Sequence, residues 1–243
     1  MIGKILKKIK QTKSEKDVLK SLSEEDAVLV KEVTSKKLTY LTNEKLVALI
    51  LELKRLETEN VSGDIIEAGC ALGGSSIILA KKKGSHSRLK VYDVFGMIPA
   101  PTEEDSEDVH ERYKKIVSGE SKGIKGDSYY GYEEDLYEKV KENLASFNVD
   151  VNLENVELIK GLLQDTMNLT SPVAMAHIDV DWYDPVLVSI QRIWPRLARG
   201  GVIILDDYNY WGGCKKAADE FYNSHRSEAK LELKMDTARL IKL

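Results

Sequence analysis

The chain has 243 residues, 42% of them hydrophobic and 31% charged, which is ordinary for a soluble globular protein of one large domain. Its 36 Lys and Arg against 40 Asp and Glu give a formal net charge of −4, which argues against a dedicated nucleic-acid-binding protein. No apolar run approaches the roughly 18 residues of a membrane-spanning helix, the start has no apolar core of a signal peptide, and the two cysteines, Cys70 and Cys214, cannot form a disulfide framework, so we expect a cytoplasmic protein.

The first 20 residues are strongly basic, with seven lysines against Glu15 and Asp17. An apolar residue recurs every three or four positions, which is typical of one face of a helix: Ile2, Ile5, Leu6 and Ile9. Packing of this stripe on the protein body, or on a second subunit in a homo-oligomer, is favoured because the stripe is short and holds no Trp or Phe. The alternative is peripheral attachment to an anionic membrane surface.

Residues 1–60 are predicted to form an N-terminal helical segment, in which Ser23 caps one helix and Thr42 or Asn43 starts another. Over residues 61–243, short apolar strands alternate with helices, which is typical of a parallel sheet covered by helices on both faces. The predicted strands are 64–67, 89–93, 156–159, 173–180, 202–205, 230–234 and 238–243, and the predicted helices are 75–83, 186–197 and 214–225.

Residues 97–135 interrupt this alternation. They hold Pro99, Pro101 and a run of acids, and they are too many for a plain connection. Because the segment follows the second strand, we predict a mobile lid over a site at the strand ends. The alternative is a static surface insertion that carries a helix at 107–117.

A glycine-rich loop, Glu67-Ala68-Gly69-Cys70-Ala71-Leu72-Gly73-Gly74-Ser75, joins the first strand to a helix. Glycines let the backbone approach a ligand, although the loop matches neither the dinucleotide fingerprint nor the Walker A motif. Asp93 ends the second strand about 25 residues later, where an acid can accept both hydroxyls of a ribose. Together they predict a nucleoside site, and the alternative is a tight turn with a surface acid.

Two pairs of aspartates follow the fourth and fifth strands: Asp179 with Asp181, and Asp206 with Asp207. Side chains alternate along a strand, so Asp179 and Asp181 are predicted to share one face, roughly 7 Å apart, with the fifth strand about 5 Å away. Such a cluster repels itself unless protons or a cation neutralise it, and oxygen ligands suit Mg²⁺ or Mn²⁺. The alternative is a solvated patch of carboxylates, and His177 is more typical of a hydrogen-bonded core histidine.

Five segments of the chain carry a resemblance to a known family: Asp64-Ile65-Ile66-Glu67-Ala68-Gly69 with Gly73-Gly74, 93–101, 161–166, His177-Ile178-Asp179-Val180-Asp181-Trp182-Tyr183, and 200–208. Through them, over roughly residues 60–225, the sequence resembles the macrocin O-methyltransferase (TylF-like) family of class I, S-adenosylmethionine-dependent and Mg²⁺-dependent sugar O-methyltransferases. The chain departs from the family pattern at Val94 (usually Ser or Thr), at Leu163 (usually Phe) and over 68–72 (usually Thr-Gly-Val-Trp-Arg).

This resemblance implies a Rossmann-like class I methyltransferase fold, an α/β architecture with a mostly parallel seven-stranded sheet, N-terminal helices and a lid insertion. It implies Asp181 as the general base and a small-molecule or glycan acceptor with a free hydroxyl. It also implies Mg²⁺ (or Mn²⁺) held by Asp179, Asp206 and Asp207, and S-adenosyl-L-methionine bound by Glu67, Gly69, Gly73, Gly74, Ser75, Asp93 and Asp165.

Two other functions stay open at this point. Asp179-Val180-Asp181 is also a D-x-D string, which in glycosyltransferases holds a metal and a nucleotide-sugar diphosphate, but that function leaves the glycine-rich loop and Asp206-Asp207 unexplained. A non-catalytic binding protein on the same fold is the other alternative, against which the four aspartates speak.

Overall fold

The computed structural model describes residues 18–151, 153 and 155–243 of the chain. The apolar stripe of the basic N-terminal segment lies outside the described residues. Within them, no helix combines the length and the apolar character that a bilayer crossing needs.

The described strands form one seven-stranded sheet in the order β3-β2-β1-β4-β5-β7-β6. Strands β1 to β5 pair in parallel, whereas β7 runs antiparallel to β5 and β6. The predicted mostly parallel seven-stranded sheet is therefore confirmed. The strands are β1 Asp64–Ala68, β2 Leu89–Asp93, β3 Val156–Lys160, β4 Val173–Ile178, β5 Leu197–Leu205, β6 Ala229–Lys234 and β7 Thr237–Lys242.

The helices confirm most of the predicted elements and add two, Leu136–Ala145 and the short Leu163–Thr166. The side chain of Ser23 accepts a hydrogen bond from the Asp26 amide, and that of Thr42 accepts one from the Lys45 amide, so both predicted caps are present. The helices are α1 Glu24–Ser35, α2 Asn43–Thr58, α3 Gly74–Lys82, α4 Glu107–Val117, α5 Leu136–Ala145, α6 Leu163–Thr166, α7 Tyr183–Ile193 and α8 Gly212–Ser224.

Neighbouring residues of one strand face two separate cores. Ile65 and Ile204 pack with helices α1, α2, α3 and α5, whereas Ile66 and Ile203 pack with α6, α7 and α8. All four side chains are at most 2% exposed, because side chains alternate across a strand and both faces of the sheet are covered. The predicted helices on both faces are therefore present.

Helix α2 docks against β5 and β7 through buried charges as well as apolar contacts. Glu52 pairs with Arg239 at 2.7 Å, and Arg55 donates to the carbonyl oxygen of Gly200 at 2.8 Å. Leu46 and Leu49 of the same helix share a core with Ile204 of β5. The division of the chain at residue 60 stays a prediction, but these contacts build the described N-terminal helices into the same core as the sheet.

Candidate active site

Two adjoining cavities lie at the carboxyl ends of the parallel strands, where ligands bind in open α/β sheets. One, of about 380 Å³, opens among the loops after β1 to β4, and we call it the β2-side cavity. The other, of about 480 Å³, reaches α2 and the loop after β5, and we call it the β5-side cavity. Five residues line both cavities: Gly69, Asp93, Tyr130, Asp179 and Asp181.

The glycine-rich loop meets the cavities at Gly69. This residue has a φ of +83°, and an added Cβ would lie 2.0 Å from the carbonyl oxygen of Asp179. Gly73 and Gly74 pack behind the loop. A Cβ added to Gly73 would lie 3.1 Å from the side chain of Val140, and one added to Gly74 would lie 2.5 Å from the carbonyl oxygen of Leu38. Neither these two glycines nor the buried Ser75 lines either cavity.

Glu67 is fully buried and likewise lines neither cavity. Its carboxylate accepts a hydrogen bond from the hydroxyl of Ser76 and lies 3.2 Å from Nδ1 of His177. Burial lowers the pKa of His177, but the carboxylates of Asp206 and Glu67 outweigh burial and raise that pKa to about 10. His177 is thus a buried, hydrogen-bonded residue beneath the site, as its sequence interpretation favoured.

Asp93 lies at the wall between the two cavities. One carboxylate oxygen accepts from the Cys70 amide at 2.8 Å and the other from the Phe95 amide at 2.7 Å. Burial raises the pKa of Asp93, while these backbone bonds oppose the rise. The Cys70 side chain and the Ala71 backbone also act on this carboxylate, so a ligand hydroxyl would share its lone pairs with donors of the loop.

Asp165, the remaining predicted cofactor residue, is exposed and does not line the β2-side cavity. Its neighbours Leu162, Leu163 and Gln164 form that part of the wall. The strand-end position was therefore informative, but the aspartate itself lies one residue beyond the lining.

Three of the four aspartates converge. Asp179, Asp181 and Asp207 each offer a carboxylate oxygen, and these oxygens lie within 4.8 Å of one another. The route to this cluster differs from the prediction of a strand over 173–180, because β4 ends at Ile178. Asp181 reaches the cluster through a left-handed backbone turn with a φ of +59°, so the alternation of a strand does not place it.

The surroundings of the three carboxyl groups raise their pKa values. Burial is the main cause that raises the pKa of each of the cluster's three carboxyls, and that of Asp181 rises to about 6. The charge of Asp206 raises the pKa of all three further. Such carboxylates are held together by shared protons or by a cation.

Asp206 lies outside this close set and is paired with a residue that sequence analysis did not select. Nζ of Lys45 lies 2.6 Å from its Oδ2 and 3.0 Å from its carbonyl oxygen. Its Oδ1 has no hydrogen-bond partner among the described residues and lies 3.9 Å from the similarly unpartnered Nε2 of His177. The available signal was a lysine in the apolar face of a helix, next to Leu46 and Leu49.

The predicted lid covers both cavities. Pro99 and Asp105 line the β2-side cavity, where the carbonyl oxygen of Pro99 accepts from Nε1 of Trp182 and Asp105 accepts from the Tyr183 amide. On the other side, the guanidinium of Arg112 lies 5.6 Å from the centroid of the Tyr129 ring. The predicted helix of this insertion is present as α4, and its mobility stays a prediction.

The profile of the family described as Macrocin-O-methyltransferase (TylF) matches residues 3–239 of the chain. The demethyldecarbamoylnovobiocin O-methyltransferase of Streptomyces niveus is 27% identical over 189 residues, covering 71% of this chain and 66% of the relative. The 8-demethyl-8-(2,3-dimethoxy-alpha-L-rhamnosyl)-tetracenomycin-C 4'-O-methyltransferase of Streptomyces olivaceus is 26% identical over 169 residues, covering 67% and 59%. The chain thus spans less than two thirds of the length of these curated relatives.

Solved structures share the fold. The O-methyltransferase NovP superposes with a TM-score of 0.66 at 22% identity, over 84% of this chain and 82% of its own. CalS11, a calicheamicin methyltransferase, superposes with a TM-score of 0.65 at 17% identity, over 97% and 92%. Together with the strand order, these likenesses confirm the Rossmann-like class I methyltransferase fold.

Proposed function

The chain belongs to the macrocin O-methyltransferase (TylF) family, and we propose that it transfers a methyl group from S-adenosylmethionine to a hydroxyl of a sugar or of a glycosylated small molecule. The observation that carries the proposal is the wall shared by the two cavities, in which Asp93 and the carboxylates of Asp179 and Asp181 stand side by side. A curated relative is named as a 4'-O-methyltransferase of a rhamnosyl-tetracenomycin, which supports a sugar acceptor. Family membership disfavours the glycosyltransferase and non-catalytic alternatives.

The β2-side cavity is proposed to hold the cofactor, which supplies an electrophilic methyl group on a sulfonium. Gly69 lines the cavity, and its missing side chain lets the loop lie directly against the carbonyl group of Asp179. Asp93 accepts hydrogen bonds from the ribose hydroxyls. Glu67, Gly73, Gly74 and Ser75 support this loop from behind, since none of them lines a cavity. Asp165 stays a candidate beside the wall formed by 162–164.

The acid cluster fits a hard divalent cation. Its ligands are all oxygens, and two buried carboxylate oxygens, Oδ2 of Asp207 and Oδ1 of Asp206, have no hydrogen-bond partner among the described residues. Under the proposal Asp179, Asp206 and Asp207 hold Mg²⁺ or Mn²⁺. A bound divalent cation supplies a Lewis acid that lowers the pKa of the acceptor hydroxyl.

Asp181 is proposed to accept the proton of that hydroxyl. Burial raises the pKa of Asp181 to about 6 in the metal-free cluster, and a bound cation would lower it again. Asp181 would then be ionised and able to accept a proton at neutral pH. Residues of the lid and Trp182 line the neighbouring cavity, and a closed, water-poor site would favour a reaction in which charges are neutralised. Both reactants meet at the shared wall, so proximity contributes to the rate.

Calorimetry with S-adenosylhomocysteine tests the cofactor site without knowledge of the acceptor. We expect the wild type to bind the ligand without added metal, and Asp93→Asn to bind it more weakly by about 1.5–3 kcal/mol, the range for hydrogen bonds to a charged group. Asp165→Asn decides whether that residue belongs to the site, because an unchanged dissociation constant removes it. A folded wild type that binds neither S-adenosylhomocysteine nor S-adenosylmethionine would refute the proposed function.

A further inference from the structure

Lys45 connects the N-terminal helix α2 to the candidate active site. Its side chain is 7% exposed, and its ammonium contacts two oxygens of a residue 161 positions away, Oδ2 of Asp206 at 2.6 Å and the Asp206 carbonyl oxygen at 3.0 Å. The same ammonium lies 4.5 Å from the centroid of the Tyr210 ring. Lys45, Asp206 and Tyr210 all line the β5-side cavity.

A buried lysine is costly unless a carboxylate accompanies it, and several buried carboxylates are costly unless a cation accompanies them. The contact between Lys45 and Asp206 serves both conditions, and His177, whose Nε2 lies 3.9 Å from the other carboxylate oxygen of Asp206, is a second cation beneath the cluster. Burial lowers the pKa of Lys45, but the charges of Asp206, Asp207 and Asp179 raise it overall, so the ammonium stays charged in the field of the whole cluster.

Because of this contact, the two carboxylate oxygens of Asp206 have different surroundings. Oδ2 is occupied by Lys45, whereas Oδ1 is buried, has no hydrogen-bond partner among the described residues, and lies 3.9 Å from Nε2 of His177. Within the described part of the chain, Asp179, Asp181 and Asp207 have no lysine partner, and their oxygens lie within 4.8 Å of one another, while Asp206 lies outside that set. Lys45 therefore acts on the one aspartate that is not drawn into the cluster.

We propose that Lys45 is a positioning residue that serves as an internal counter-ion of the acid cluster, holding Asp206 and competing with a divalent cation for its carboxylate. The inference rests on the proposed function for the presence of that cation, while the ion pair itself does not depend on it. It makes helix α2 a working part of the site as well as a packing element.

If Lys45 had only a structural role, removing its charge would not tighten Mg²⁺ binding. The affinity for Mg²⁺ is therefore the measurement that tests the proposal. Lys45→Met keeps the length and apolar character of the stem and removes the charge. We expect this variant to bind Mg²⁺ about tenfold more tightly or better in calorimetry on cofactor-free protein, because a fixed positive charge near a divalent cation has been removed. Lys45→Arg keeps the charge and should return the affinity toward that of the wild type.

Lys54→Met is the matched control on the same helix, since Lys54 pairs with Asp26 at 2.5 Å and lines neither cavity. It should reduce stability without changing Mg²⁺ affinity. Unchanged or weaker Mg²⁺ binding by folded Lys45→Met would overturn the inference, as would an absence of Mg²⁺ binding in both wild type and variant. S-adenosylhomocysteine binding by the wild type, measured alongside, reports on the proposed function separately.

Discussion

The backbone of Gly69 lies against the carbonyl group of Asp179, so closely that a Cβ on Gly69 would sit 2.0 Å from that oxygen. The loop after β1 and the turn after β4 are therefore in direct contact. In terms of the proposed function, this contact links the cofactor loop to the metal site, and any displacement of one must move the other.

Gly69→Ala should consequently weaken both ligands. The added methyl meets the Asp179 carbonyl, and the left-handed φ of +83° adds strain of about 1–2 kcal/mol, equivalent to about tenfold in an equilibrium constant. Calorimetry with S-adenosylhomocysteine and with Mg²⁺ measures the two affinities. Gly119→Ala is the control, because Gly119 has a φ of +78° and nothing within 4 Å of an added Cβ. Equal behaviour of the two variants would show that the contact imposes no constraint.

The aspartates should fail in two different ways. Asp179→Asn, Asp206→Asn and Asp207→Asn each remove a charge that the cation needs, so they should raise the Mg²⁺ concentration for half-maximal methyl transfer. Asp181→Asn should leave cofactor affinity nearly unchanged, and its kcat should stay about 10²–10⁴-fold below that of the wild type even at saturating Mg²⁺, the usual range for loss of a general base. Initial rates over an Mg²⁺ series, with EDTA as the metal-free reference, separate the two patterns.

Asp181 belongs to the close set with Asp179 and Asp207, whereas Asp206 does not. The comparison of the Asp181→Asn and Asp206→Asn variants is therefore the most informative one. Rescue of Asp181→Asn by excess Mg²⁺, without rescue of Asp206→Asn, would exchange their assigned roles. Full activity in EDTA would reject the metal mechanism altogether.

Hydrogen exchange should report closure of the lid. Amides in residues 97–135 are expected to exchange more slowly when cofactor product and an acceptor are added, because the segment borders both cavities. Trp182→Phe removes the 3.1 Å bond to the Pro99 carbonyl and should speed exchange around that residue. Exchange that is equal with and without ligands would identify a static insertion.

Asp26 should make stability depend on acid pH. Burial raises its pKa, but hydrogen bonds from Lys54 and Lys82 outweigh burial and lower it from 3.8 to about 2. A depressed pKa stabilises the fold fully above about pH 4 and loses this effect as pH falls toward about pH 2. In urea unfolding, Asp26→Asn should cost about 2 kcal/mol at neutral pH, about 0.4 kcal/mol near pH 2, and nothing below that pH.

Glu24→Gln, in the exposed first turn of the same helix, is the control for Asp26→Asn and should stay within about 0.5 kcal/mol of the wild type. A deficit of Asp26→Asn that persists unchanged to the lowest pH would contradict the ion-pair explanation.

The sequence predicted the sheet because its strands are short apolar runs that end in acids or glycine, as with Asp93 and Gly69. Helix α5 escaped prediction, although Leu136, Val140 and Leu144 face the core at four-residue spacing. Its signal was diluted by the polar residues that surround it. The position of Asp181 could not be derived from alternation, since a left-handed φ in a non-glycine residue has no signature at this site.

The ion-pair partner of Lys45 could not be predicted from the sequence, for a different reason. That partner lies 161 residues away, and one sequence holds no information on which of many acids a buried lysine meets. Asp206 and Asp207 were predicted as equals because they are adjacent, whereas the fold gives a lysine to the first and cluster neighbours to the second.

The shared wall of the two cavities has a stereochemical consequence. Asp179 and Asp181 line both cavities, so under the proposed function donor and acceptor, each in its own cavity, can be present together and face one another there. Under the proposed function the methyl carbon then passes in a single displacement, with no methylated protein side chain on the way. A methyl group made chiral with hydrogen isotopes would arrive inverted, and initial-rate plots against the two substrates would intersect rather than run parallel.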